Sequence, residues 1–328
     1  MSTLTELYEP IAVHLERVRA VVDETIGSNA PAVDRLCRHM GRLRGKMLRP
    51  VLLLLAGQAC GEVREEHYTL AAVVEIVHMA SLVHDDVLDE ADVRRGEVTV
   101  NRMTTNEMAV ILGDFLISRA FLLCSRIGCR ETREIVGSAA ASACEGELVQ
   151  LSRRGDWRLT EQEYLTIIEA KTAALMAASC ELGAIQSGAD ARTVRSLRDY
   201  GRSFGVAFQI LDDVLDIAGR QEQEGKSLGS DARKGKLTLP MIHHLAVATN
   251  GSAERLLAYL KAPEGQDRGR LRQWLEETDS LDYARRLARE RALSAVRSLE
   301  PLPAGPARAQ LRKMARFIVS RPGHSDCL

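Results

Sequence analysis

The pentapeptide Asp-Asp-Val-Leu-Asp occurs twice in this 328-residue chain, at 85–89 and again at 212–216. On a helix the first and last aspartates of each copy lie one above the other on a single face, with the middle one about 100° round. Three carboxylates packed so closely repel one another, and at a helix C-terminus they also oppose the macrodipole. Such donors suit Mg2+, which takes one or two carboxylates and fills its octahedron with water and substrate phosphates. The expected metal ligands are Asp85, Asp86, Asp89, Asp212, Asp213 and Asp216. One copy alone would read as an ordinary acidic helix end. Two identical copies, each closing a long apolar stretch, read as two halves of one metal–diphosphate site.

Basic residues stand beside both clusters. Gly45-Lys46-Met47-Leu48-Arg49-Pro50 precedes an apolar stretch, Arg94-Arg95-Gly96 follows the first cluster, and Gly225-Lys226 and Gly235-Lys236 follow the second. Guanidinium forks and ammonium groups beside Mg2+ sites are what polyanionic substrates require. His78 lies two helical turns before Asp85 on nearly the same face, where it reads either as a hydrogen-bonded core residue or as part of the site. His243 and His244 read as structural.

The elements that must hold these groups are helical. Apolar residues recur at helical spacing over about 4–26, 32–42, 50–60, 69–90, 105–127, 131–153, 161–187 and 191–218, and in four further stretches after 238. The 45% hydrophobic content excludes a disordered chain, and with only 4% aromatic it comes mainly from Ala, Leu, Val, Ile and Met. Stretches such as 69–84 and 171–185 are apolar on most sides, which belongs inside a bundle. No break between stretches is long enough for a linker, so one domain over 1–328 is expected.

Charge and cysteine usage narrow the function classes. A formal net charge of -1 excludes a globally basic nucleic-acid binder. Residues 250–328 carry 15 basic and 10 acidic side chains against 29 and 35 in the rest, a split that reads as Arg-rich exposed helices in an outer layer. Seven scattered cysteines without a CxxC pair point to reduced thiols in the cytoplasm, with neither disulfides nor zinc. The longest apolar run, 51–56, is far short of the roughly 20 residues of a bilayer span, and the first residues show no signal peptide.

In their order along 41–241, the segments GKMLRP, EIVHMASLVHDDVLDEADVRRG, NEMAVILGDFLISRA, KTAAL, FGVAFQILDDVLDI and GKSLGSDARKGKLTLP resemble the trans-isoprenyl diphosphate synthases, or polyprenyl synthetases. The resemblance implies a large all-α bundle around a deep central cavity, usually homodimeric. It implies condensation of isopentenyl diphosphate with an allylic diphosphate, head to tail, on three Mg2+ ions per active site. Lys46, Arg49, His78 and Arg95 match its isopentenyl diphosphate site. Arg94, Lys226 and Lys236 match its allylic diphosphate site, together with the catalytic candidates Lys171, Thr172 and Gln209. The lipid product implies peripheral contact with a membrane. Two departures stand out: Arg44-Gly45-Lys46-Met47 replaces the common Gly-Gly-Lys-Arg, and Lys234 stands where an acidic residue is common.

Product length is expected to depend on Ala80 and Ser81, one turn before Asp85, and on Val77, one turn deeper. In short-chain members of the resembled family an aromatic residue at the Ala80 or Ser81 position closes the tunnel floor. Here both are small, which points to a medium or long polyprenyl chain with its floor elsewhere, at Phe115 or Phe121. A short-chain synthase is the alternative. A class I terpene cyclase is disfavoured by the second pentapeptide and the scarce aromatics, and a non-catalytic regulatory subunit by the intact clusters and clamp.

Overall fold

The computed structural model describes residues 4–43, 45–219, 229–262 and 267–320. Its helices run α1 Leu4–Tyr8, α2 Ala12–Ile26, α3 Pro31–Arg42, α4 Leu48–Cys60, α5 Glu65–Leu88, α6 Val100–Met103, α7 Asn106–Ser125, α8 Arg130–Ser152 and α9 Glu161–Ile168. They continue as α10 Ala174–Gln186, α11 Ala191–Ala218, α12 Ser230–Arg233, α13 Leu239–Val247, α14 Ser252–Lys261, α15 Arg268–Glu277, α16 Ser280–Ser298 and α17 Pro306–Val319. Polar caps fix several starts: the Thr160 hydroxyl accepts from Glu163 N while Glu163 accepts from Thr160 N, and Asp190 and Thr105 cap α11 and α7.

One continuous core reaches from Ile11 to Ile318. Helix α5 is buried almost throughout from His67 to Ala80, so only its last turns can carry polar groups into a cleft. Helix α10 packs against both α5 and α11, the two helices that bear the aspartates, and against α4 and α8. The Arg-rich helix α16 lies along α11 with Leu281, Ala284, Ala288, Ala292 and Ala295 turned inward, as the outer-layer reading expects.

Two local features were not legible as periodicity. A two-stranded hairpin, β1 Val93–Arg94 and β2 Glu97–Val98, turns through Arg95 and Gly96, both with positive φ (54° and 81°). Positive φ at both central residues is the mirror-image turn that matches strand twist, and it sets two arginines at a tight tip. The stretch 161–187, read as one helix, is interrupted by a π turn over Glu169–Ala173 that carries Lys171 and Thr172. Gly146 of α8 permits the contact there, because a Cβ at 146 would lie 2.6 Å from Lys171 N.

Among the described residues, helix α7 is long and apolar enough to cross a membrane, although it holds no unbroken apolar run of that length. Its inward face, with Ala109, Leu112, Leu116, Ala120 and Leu123, packs on α5 instead. The outward face exposes Met108, Val110, Ile111, Phe121 and Leu122.

Candidate active site

The first cluster sits at the end of α5 and is wrapped in cations. Arg94 donates from Nε and Nη2 to Asp86 Oδ1, both at 2.8 Å. Lys171 reaches Asp85 at 3.9 Å, donates to Gln150 at 3.0 Å and pairs with Glu147. Asp89 meets Lys236 at 2.8 Å, Arg154 at 2.9 Å and Lys234 at 3.4 Å. Burial would raise the Asp89 carboxyl, but Lys236, Lys234 and Lys171 outweigh it and hold the group below the ordinary range. At Asp85 burial wins: aided by Glu147 and Asp89 against Lys171, it pushes the carboxyl up. Burial raises Asp86 as well, against the pull of Arg94.

The second cluster lies within the last turns of α11, where the hydrogen-bond donors to Asp213 and Asp216 are neutral. Tyr164 donates to Asp213 Oδ2 at 2.6 Å, and Gln209 Nε2 donates to Asp213 Oδ1 at 2.8 Å. Thr172 in turn donates to Gln209 Oε1 at 2.8 Å, so the π turn and α11 are linked through one relay. Burial and the nearby Asp231 push the Asp213 carboxyl well above its ordinary value, despite these donors. Asp216 accepts from Ser230 N, Ser230 Oγ and Asp231 N at 3.3–3.4 Å. It thereby anchors α12, whose following loop sends Lys234 and Lys236 to Asp89. The two pentapeptides are joined by that short segment.

A third group faces the end of α5 from the other side. Met47, at the start of α4, has a φ of 50° and is 2% exposed, so its side chain serves the core. Arg44 lies outside the described residues. Lys46 is exposed, while Arg49 is half-buried with its Nε enclosed. Burial, eased by Glu75 and reinforced by Arg95, brings the Arg49 guanidinium down to about 10. Burial and then Arg49, Arg95 and Arg94 hold the His78 imidazole well below its usual value, so it is neutral. The Arg95 guanidinium donates to Leu43 O at 2.5 Å and lies over Gly45, where a Cβ would come within 2.5 Å of it.

The sequence-predicted residues Asp85, Asp86, Asp89, Arg94, Lys171 and Lys236 thus converge, as do Thr172, Gln209 and Asp213, and Arg49, His78 and Arg95. Lys226 lies outside the described residues. Sequence reasoning missed Glu147 and Gln150, three residues apart on α8; Tyr164, the buried donor on α9; and Arg154. Polar residues at i and i+3 beside Gly146 were the available signal for the first two.

Among the described residues no three His, Cys, Asp or Glu side chains are gathered into a ready-made metal cage. Mg2+ asks for less, since water and phosphate oxygens supply much of its shell. The donor set fits: Asp85, Asp89 and Asp212 have hard carboxylate oxygens, and half-buried Asp85 is disfavoured as an anion chiefly by its desolvation, with Glu147 and Asp89 adding to it against Lys171. The oxygens of Asp86, Asp213 and Asp216 are engaged by Arg94, by Tyr164 and Gln209, and by the 230–231 backbone, and those of Asp89 by Lys236 and Arg154.

The chain-length positions differ from one another. Ala80 is fully buried and Val77 nearly so, at 0% and 6% exposure, whereas Ser81 is half-buried and donates to His78 O. Phe115 packs against the core beneath Arg119, and Phe121 is 43% exposed, which takes it off the inside of this chain.

A family model described as polyprenyl synthetase matches residues 30–278. The chain belongs to the polyprenyl synthetase family. It is a prenyltransferase with the all-α fold of that family. Among relatives, the octaprenyl diphosphate synthase of Escherichia coli (strain K12) is 35% identical over 97% of this chain and 99% of its own length. A short chain isoprenyl diphosphate synthase of Methanothermobacter thermautotrophicus is 34% identical over 93% of this chain and 94% of its own. A polyprenyl synthase from Caulobacter crescentus CB15, solved with calcium and isoprenyl diphosphate, superposes with a TM-score of 0.93 at 35% identity, covering 97% of this chain and 98% of that one. Near-equal identity to octaprenyl and short-chain enzymes leaves product length to the site itself.

Proposed function

We propose that this polyprenyl synthetase joins isopentenyl diphosphate to an allylic diphosphate and extends it to a medium or long polyprenyl diphosphate. The observation that carries the reading is the convergence of Lys171, Lys236 and Arg94 on the first aspartate cluster, beside the second cationic group of Arg49, Arg95 and neutral His78. Two anion-binding regions flank one set of carboxylates, as two diphosphate substrates require. Asp85, Asp89 and Asp212 would hold Mg2+, three ions in all, with Asp86, Asp213 and Asp216 supporting. Mg2+ bound there adds positive charge next to the leaving diphosphate.

Lys171 and Lys236, with Arg94, neutralise the charge that grows on the allylic diphosphate as its C–O bond breaks. Lys46, Arg49, His78 and Arg95 hold isopentenyl diphosphate with its double bond toward the resulting allylic carbon. The apolar walls from α5 keep out water, which would convert the cation into an alcohol. New C–C bond formation moves the cation onto the isopentenyl unit, and loss of a proton to the departing diphosphate completes the turn. Thr172 and Gln209 serve by fixing Lys171 on its π turn and Asp213 on α11.

Small residues at Ala80 and Ser81 support a longer product. Ser81, the more open of the two, is the sharper probe: Ser81→Phe shortens the product read by chromatography from labelled isopentenyl diphosphate. Ala80→Phe overpacks a sealed position and lowers stability by about 1–3 kcal/mol. Unchanged product length in both variants would sink the tunnel reading, and no incorporation by the wild type with geranyl, farnesyl or geranylgeranyl primer would sink the activity.

The same proposal includes a homodimer. The uncovered side of α7, with Ile111 at 64% exposure beside Met108, Val110 and Leu122, is an apolar face that a second copy would cover. Ile111→Glu is expected to sediment as a monomer where the wild type is a dimer. A cytoplasmic setting, supported by six unbridged cysteines among the described residues, and peripheral membrane contact at product release complete the reading.

A further inference from the structure

Asp89 gathers more positive charge than one carboxylate can balance. Arg154 Nη2 donates to it at 2.9 Å, Lys236 Nζ donates to both oxygens at 2.8 and 3.1 Å, and Lys234 Nζ stands 3.4 Å away. The three cations come from two loops, the one after α8 and the one after α12. Those loops are pinned together, because Gly155 N–H donates to Gly235 O at 3.0 Å. Arg154 also keeps an enclosed Nε–H that donates to nothing among the described residues. Side-chain exposures of 30% for Arg154 and 27% for Lys234 leave both able to reach into the cleft.

A divalent cation held by the Asp89 carboxylate would leave these partners without their anion. They are then three unbalanced cations at the mouth of a diphosphate site, held in place by their own backbones. We propose that Arg154 and Lys234 are additional binding residues for the allylic diphosphate, for which Asp89 is the resting partner until Mg2+ arrives. The inference rests on the reading above, in which Asp89 holds metal and Lys236 binds that diphosphate. It adds to Arg94, Lys171 and Lys236 a guanidinium fork and a further ammonium. A fork suits two diphosphate oxygens at once, and an ammonium acts as a point charge.

The test is calorimetric titration of inorganic diphosphate, in the presence of MgCl2, into the full-length chain and into Arg154→Gln, Lys234→Ala and Arg154→Lys. Each neutral variant is expected to bind about tenfold more weakly, and Arg154→Lys to recover part of the loss. In turnover the allylic KM rises by a similar factor while the isopentenyl diphosphate KM stays within about twofold. The Mg2+ concentration for half-activation falls, because fewer cations compete for Asp89. Unchanged diphosphate affinity in both neutral variants, or an equal rise in the two KM values, overturns the assignment and leaves the ion pairs as loop clasps. A wild-type chain that neither binds Mg–diphosphate nor turns over would instead overturn the underlying reading, and that result is visible before any variant is compared.

Discussion

The two copies of Asp-Asp-Val-Leu-Asp are identical in sequence and opposite in surroundings. At the end of α5, every aspartate faces a cation: Lys171 at Asp85, Arg94 at Asp86, and Lys236, Lys234 and Arg154 at Asp89. Near the end of α11, Asp213 is held by a phenol and an amide, and Asp216 by backbone and hydroxyl donors. The first cluster therefore stores charge that can be exchanged for metal and diphosphate. The second stores hydrogen bonds that fix α9, the π turn and α12 around it. Asp213 and Asp216 have acquired a scaffolding task beside the metal candidate Asp212, whereas Asp86 and Asp89, at the matching places of the first copy, face cations, and the difference lies in what the fold brings to them.

Paired substitutions in the two copies should separate their roles most widely. Asp85→Asn removes a carboxylate that the resting fold burdens with desolvation, so stability should shift by no more than about 1 kcal/mol. Loss of its charge should lower kcat by on the order of 10^3, read from single-turnover incorporation of isopentenyl diphosphate. Asp213→Asn should behave in the reverse sense. Two donors, Tyr164 and Gln209, would compete for one amide oxygen and leave a buried polar group unsatisfied. Chemical denaturation should show a loss of about 1–3 kcal/mol. Its kcat should fall by only about tenfold, because Asp213 is placed to position rather than to carry the charge. Tyr164→Phe should repeat the stability loss with a smaller effect on kcat. Equal kinetic losses at Asp85 and Asp213 would erase the distinction.

Much of this was legible because helices advertise themselves. The stretch 69–90 became Glu65–Leu88, 131–153 became Arg130–Ser152 and 191–218 became Ala191–Ala218, each set by an apolar period that no other local structure satisfies. Lys236 taken alone reads as a surface charge, whereas the pentapeptides stood out as charge at the ends of those periods. The partners did not, since Tyr164 meets Asp213 across 49 residues and Arg154 meets Asp89 across 65. Long-range pairing leaves no spacing to read. The hairpin around Arg95 has strands of two residues, too short for alternation, and the π turn at Lys171 interrupts a helix without interrupting its apolar pattern. Met47 shows the converse: the departure from the common Gly-Gly-Lys-Arg at this position is a buried core residue in a left-handed conformation.

The smallest expected effect sharpens the contrast from the isopentenyl side. Burial and three arginines keep His78 neutral, so its contribution to a diphosphate is a hydrogen bond and not a charge. His78→Gln preserves a donor of similar reach, and the isopentenyl diphosphate KM should rise by only about two- to threefold, a change too small to require a lost ionic contact. Stability carries the matching signature. Because the folded state favours the neutral ring, the unfolded chain binds the extra proton first as pH falls below the ordinary value of 6.5. The wild type should therefore lose stability relative to His78→Gln on going from pH 7.5 to 5.5, and the two should run parallel above that range. A His78 that titrated near 6.5 in the folded chain would flatten this difference. It would also make isopentenyl diphosphate binding tighten in acid, and the cationic reading of that side of the site would then extend to the imidazole.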